Sequence, residues 1–94
     1  MAEYVVRVRT GPPSMAGVGP DIEAEERFLR EHPNLFLDVA GDGSVTAEVR
    51  VSDDTQEAAE EHARRLVAEA MTASVRMVAP EDISSEVAPA DQSG

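Results

Sequence analysis

The chain lacks cysteine, tryptophan and lysine, and its aromatic residues are one tyrosine and two phenylalanines. Without cysteine it can form neither a disulfide framework nor a thiolate-bound metal site, so the fold must rest on packing. The scarcity of aromatics argues against a nucleic-acid platform that works by base stacking. No apolar run is long enough to cross a bilayer, and no basic segment followed by an apolar one opens the chain. We therefore expect a cytoplasmic protein, and arginine as the sole strong base is typical of a GC-rich bacterial genome.

Positive charge is also scarce. Eight arginines stand against nineteen acids, which gives a formal net charge of −11. Such a surface repels nucleic-acid phosphates and anionic lipids, so we expect neither nucleic acid nor membrane as a partner. A chain of 94 residues forms one domain with a small core, and a small core without covalent staples favours oligomerisation.

Hydrophobic periodicity predicts strand, helix and two strands in the first half of the chain. Tyr4, Val6 and Val8 alternate with polar or outward residues as the first strand. A Gly- and Pro-rich loop over 10–20 then leads to a helix that opens at Gly19, Pro20 and Asp21. Pro33 and Asn34 end this helix. Two strands follow, over 35–39 and 45–51, joined by a glycine-bearing hairpin turn.

The second half predicts one more helix and one more strand. Asp53 followed by Gln56 resembles a capping box at the start of the second helix, and alanines recur along it at helical spacing. Val75, Met77 and Ala79 predict the last strand. Residues 1–79 would form the domain, and residues 80–94 an acidic, flexible tail. An alternative lets Ile83 and Val87 in that tail dock as an additional edge segment.

The resulting β-α-β-β-α-β order resembles the ferredoxin-like fold. That resemblance implies an α+β sandwich, in which a four-stranded antiparallel sheet in the order 4-1-3-2 carries both helices on one face. Many unrelated functions use this architecture, so it names no activity.

The sheet face away from the helices is the first candidate site. The alternation places apolar and basic side chains there together, and the predicted partner-binding residues are Val5, Arg7, Arg9, Phe36, Arg50, Arg76 and Val78. Half of the arginines would gather on this face, while fifteen of the nineteen acids lie on the helices and tail. This pattern predicts a docking or dimerisation surface. The alternative interpretation is a solvated face with weak cross-strand ion pairs.

Gly17 and Gly19 in the long loop before the first helix form a second, weaker candidate, because backbone amides there could hold an anionic ligand. The loop carries no basic residue and matches no phosphate-binding motif. A flexible connection is therefore the favoured interpretation of this loop.

The sequence offers few candidate catalytic residues. Glu23–Arg27, Glu26–Arg30, Glu60–Arg64 and Glu61–Arg65 are spaced i, i+4, which indicates helix-supporting pairs rather than acid–base catalysis. His32 at the end of the first helix and His62 in the second have no additional ligand at metal-binding spacing. We predict no metal, no cofactor and no catalytic residue.

These observations favour a small non-catalytic interaction or regulatory module that dimerises or docks a protein partner through the open face of its sheet. The alternative is a small enzyme or ligand-binding protein of the dimeric α+β barrel kind, in which His32, Tyr4 or an arginine acts on a bound compound. A third interpretation is an acidic protein that masks a basic partner.

Overall fold

The computed structural model describes residues 2–12, 21–75 and 82–89. They form two helices and four strands in one α+β unit. In chain order, the elements are β1 (Ala2–Thr10), α1 (Ile22–Glu31), β2 (Leu35–Val39), β3 (Val45–Asp53), α2 (Gln56–Ala73) and β4 (Ser84–Pro89).

The four strands form one antiparallel sheet in the order β2-β3-β1-β4, which reads 4-1-3-2 when counted from the β4 edge. β1 lies in the interior of the sheet, where Val6 pairs with Val49 of β3 on one side and with Val87 of β4 on the other. Because side chains alternate along each strand, this register places the valines of three strands on one face.

The core lies between that face and the helices. The inner face contributes Val6, Val8, Leu35, Val45, Ala47, Val49 and Val51, and α2 contributes Ala59, Ala63, Leu66, Val67, Ala70 and Met71. The small alanines let the axis of α2 approach the sheet. Phe28 and Leu29 of α1 pack against the same cluster, so both helices border one core. No helix within the described residues is both long enough and apolar enough to cross a membrane.

Polar side chains cap both helices at their starts. α1 begins at Ile22, directly after the predicted start, and its cap is Asp21, whose Oδ1 accepts a hydrogen bond from the Ala24 N–H at 3.0 Å. At α2 the capping residue is Thr55 rather than the predicted Asp53. The Thr55 hydroxyl oxygen accepts from the Ala58 N–H at 3.1 Å. Asp53 is still the last residue of β3, which is why it cannot act as the cap.

The fourth strand differs in position from the prediction. Val75, predicted to start it, lies in the turn after α2 with a φ of 60°. The remaining predicted strand residues, 76–79, lie outside the described residues. β4 instead occupies 84–89, within the segment predicted to be a tail, and the alternative of a docked edge segment there is confirmed. The physical reason is inward alternation, because Val87 faces the core beside Val6 and Ile83 also packs against it.

Candidate interaction surface

One sheet face carries no helix, and we call its residues the open face. Within the described residues, both helices lie on the other side of the sheet. The open face consists of Glu3, Val5, Arg7 and Arg9 of β1, Phe36 and Asp38 of β2, Thr46, Glu48, Arg50 and Ser52 of β3, and Ser84, Glu86 and Ala88 of β4. Strand alternation positions all of them, since each neighbours an inward-facing core residue.

Five of the seven predicted partner-binding residues are brought together on this face: Val5, Arg7, Arg9, Phe36 and Arg50. The other two, Arg76 and Val78, lie outside the described residues. So do Gly17 and Gly19 of the predicted ligand loop. The inward set of β1 and β3 also follows the predicted alternation, which is why the outward set could be read from the sequence.

On the described part of this face, acids accompany the predicted cluster of arginines. The strand bordering β1 is Ser84–Pro89, so the residue that it places beside Arg7 is Glu86. On its other side, Arg7 pairs with Glu48. Counting only described residues, the open face carries three arginines and four acids, namely Glu3, Asp38, Glu48 and Glu86. In the row that contains Arg7, charges of opposite sign therefore alternate across the strands.

The charges differ in how far they are paired within the chain. Arg50 Nη1 lies 3.9 Å from Glu3 Oε1, a long surface ion pair that contributes little stability. Among the described residues, neither Arg7 nor Glu48 has an ion-pair partner within 4.0 Å, although the two stand opposite each other in the register. Both side chains are exposed. The middle of the open face thus presents, side by side, one cation and one anion that have no ion-pair partner among the described residues.

Apolar groups occupy two separate parts of the open face. Phe36 on the edge strand β2 is 60% exposed, the highest value among the large hydrophobic residues that the structure describes. At the opposite edge, Val5 pairs with Ala88. These two residues, with Arg7 and Glu86, help to line a shallow depression of about 440 Å³. An exposed aromatic ring and a shallow apolar depression on one face are typical of a contact surface.

The two histidines form a second candidate site, which the sequence analysis did not bring together. His32 follows α1 and His62 lies in α2, and both line a groove of about 430 Å³. Asn34, Arg65, Leu66 and Glu69 complete its lining. Thirty residues separate the histidines, so no local spacing could have indicated their proximity.

The Nδ1 atoms of the two histidines have different surroundings. His32 Nδ1 donates to the Phe28 carbonyl oxygen at 2.9 Å, and its ring stacks on Phe28 with centroids 4.2 Å apart. His62 Nδ1 lies 3.4 Å from Asp53 Oδ2. That oxygen is buried and has no hydrogen-bond partner among the described residues, so its contact with His62 is one of proximity rather than an aligned hydrogen bond. The described residues contain no cluster of three or more metal-ligating side chains.

The glutamates of the helices differ in their contacts and in their burial. Of the predicted i, i+4 pairs, Glu61 and Arg65 are in contact at 3.2 Å. Glu60 instead accepts a hydrogen bond from the Ser85 hydroxyl at 2.7 Å, which fastens β4 to α2. Glu25 is buried, which the sequence analysis did not anticipate because neighbouring Glu26 has the same chemistry and is exposed.

The fold and surface define the class: an α+β protein with a four-stranded antiparallel sheet and two helices, one face of the sheet bearing no described helix. Comparison with protein-family models, curated proteins and solved structures finds no match to this chain.

Proposed function

We propose that this protein is a small non-catalytic interaction module with a ferredoxin-like fold, which associates with a protein through the open face of its sheet. The fold assignment is supported by the element order and by a strand order of 4-1-3-2 counted from β4. The observation that carries the functional proposal is the exposure of Phe36 on a face that no described helix covers.

Two physical properties of the open face support this function. Phe36, Val5 and Ala88 supply apolar area whose removal from water would favour association. The alternating arginines and acids would fix the orientation of the partner, since complementary charges give specificity more than affinity. The remaining acids lie mostly on the helices, on the side away from this contact.

A photo-crosslinking amino acid substituted for Phe36 tests the proposal, with the same substitution at Ile22 as the matched control. Ile22 is also a large exposed hydrophobic residue, 49% accessible, but it lies on α1. On irradiation in cells, we expect position 36 to give a discrete adduct with a protein and position 22 to give none. An absence of adducts at position 36, or equal adducts at both positions, would overturn the proposal.

The histidine groove supports a second candidate function, a small-molecule-binding protein or small enzyme of the dimeric α+β barrel kind. Its volume lies within the range of small-ligand sites, Arg65 can bind an anionic compound, and histidine side chains can exchange protons with one. Tyr4 packs against the core and does not line this groove. For this function, substitutions at His32 and His62 would abolish activity while substitutions at Phe36 would not.

A further inference from the structure

The register of the sheet arranges the open-face charges in rows across the strands. The central row, in order from β2 to β4, is Phe36, Glu48, Arg7 and Glu86. On one side of it lie Asp38, Thr46, Arg9 and Ser84, and on the other lie Arg50, Val5 and Ala88. Glu48 and Arg7 are thus the two middle positions of the central row, one on each of the two interior strands.

We infer that the partner of the open face is a second copy of this chain, packed face to face about a two-fold axis that runs parallel to the strands between β1 and β3. This inference rests on the proposed function and adds the identity and orientation of the partner. The axis exchanges the positions of β1 and β3. It therefore sets Arg7 opposite the partner's Glu48, and Glu48 opposite the partner's Arg7.

No like charges oppose each other in this arrangement. The same operation sets Arg9 opposite Thr46, Arg50 opposite Val5, Asp38 opposite Ser84, and Phe36 opposite Glu86. An isologous contact requires a surface that is complementary to itself, and an alternating row of opposite charges meets that requirement. Phe36 would lie over the edge of the partner's β4, where its ring would contact the aliphatic part of Glu86 and the nearby Ala88.

The ion pairs within the chain favour an axis parallel to the strands over one perpendicular to them. An axis perpendicular to the strands would instead set Glu48 opposite the partner's Arg50. Arg50, however, already contacts Glu3 at 3.9 Å, whereas Arg7 has no ion-pair partner within 4.0 Å among the described residues. Arg7 can therefore pair across the interface without losing a contact, and exclusion of water would strengthen that pair.

Sheet twist leaves the central contact in place. Two sheets that pack face to face cross at about −30°, so residues near the centre of the contact stay opposite each other while those at the corners diverge. Arg7 and Glu48 lie near this centre, so their contacts are the ones least changed by the crossing angle. The described part of the open face carries three arginines against four acids, so it is close to neutral, and at physiological salt charges farther away than about 8 Å are largely screened.

Charge reversal tests both the partner and the axis. Arg7→Glu and Glu48→Arg should each weaken dimerisation about a hundredfold, because each sets like charges opposite one another. The double variant R7E/E48R should recover most of the affinity. A mixture of the two single variants should also dimerise, since Glu at 7 then meets Arg at 48 and the unchanged Glu48 meets Arg7. Analytical ultracentrifugation would measure the dissociation constants, and circular dichroism would confirm that each variant is folded. Arg27→Glu, the same change on exposed α1, should leave dimerisation within about twofold.

The remaining outcomes would contradict the partner, the axis or the location of the interface separately. A wild-type chain that is monomeric at high micromolar concentration would overturn the second copy as partner. The proposed function would survive that result if the crosslinker at position 36 still captured a different protein. Rescue of E48R by R50E, but not by R7E, would overturn the axis in favour of one perpendicular to the strands. Dimerisation unchanged by every open-face variant would place the interface elsewhere.

Discussion

At the scale of single residues, the hairpin turn between β2 and β3 contains a carboxyl group, that of Asp42, whose pKa can be measured. The Ser44 hydroxyl and backbone N–H donate to Asp42 Oδ1 at 2.6 and 2.9 Å. These bonds, the hydroxyl bond first, hold the pKa of the exposed Asp42 carboxyl below its ordinary value of 3.8. We predict that Ser44→Ala raises the Asp42 pKa toward that value, as read from the side-chain carboxyl carbon in an NMR titration.

The sign of the stability effect follows from linkage. A carboxyl whose pKa is lowered on folding stabilises the native state above its unfolded pKa, and that contribution is lost as the pH falls through the folded value. The difference in stability between wild type and S44A should therefore shrink below about pH 4. Ser52→Ala removes an exposed hydroxyl from β3 and is the control, since it should leave the Asp42 pKa unchanged. An Asp42 pKa that does not move in S44A would contradict this account of the turn.

At the scale of elements, β4 gives the sharpest test because neighbouring residues should behave differently. Val87 is half-buried and faces Val6, whereas Ala88 is exposed on the open face. We predict that Val87→Ser lowers the free energy of unfolding by about 1–2 kcal/mol, since a half-buried valine is lost from the core. Ala88→Ser should change it by less than about 0.5 kcal/mol. Urea denaturation would measure both. A flexible tail would tolerate the two substitutions equally.

A comparison of β4 with β3 shows which strands can be predicted from the sequence. The predicted β3 is confirmed because four inward residues, Val45, Ala47, Val49 and Val51, alternate without interruption. β4 carries a weaker signal, with serine and valine at its half-buried positions. The segment beginning at Val75 has the stronger apolar alternation, yet Val75 has a φ of 60°, a conformation that a β-branched residue rarely adopts. Tertiary pairing with β1 therefore decided the position of β4, and local pattern could not.

At the scale of the whole molecule, the candidate surface was predictable only as far as the strands were. Arg7, Phe36 and Arg50 follow from alternation alone. The neighbour of Arg7 depends on which segment pairs with β1, and the pairing of Glu86 with Arg7 adds an acid to the described part of this face. The histidine groove depends on how α2 lies beside the end of α1, a long-range contact with no local signature.

Net charge acts over the whole molecule and should make its thermal stability depend on salt concentration. The molecule measures 43 × 27 × 22 Å, and its net charge is −11. The Debye length is about 30 Å at 0.01 M salt and about 8 Å at 0.15 M. At low salt most of the nineteen acids therefore repel one another, whereas at 0.15 M only near neighbours do. We predict that raising NaCl across this range raises the midpoint of thermal unfolding, measured by circular dichroism at a fixed protein concentration.

Two exposed helix variants calibrate this salt effect. Glu69→Arg reduces the net charge to about −9 and should diminish the rise in the unfolding midpoint, whereas Arg27→Glu increases it to about −13 and should enlarge the rise. Surface pairs such as Glu61–Arg65 act in the opposite direction, because salt weakens them. A midpoint that falls as salt is added would mean that local ion pairs outweigh net repulsion. The acidic helices would then stabilise the fold through those pairs, and their charge could not be treated as one uniform field.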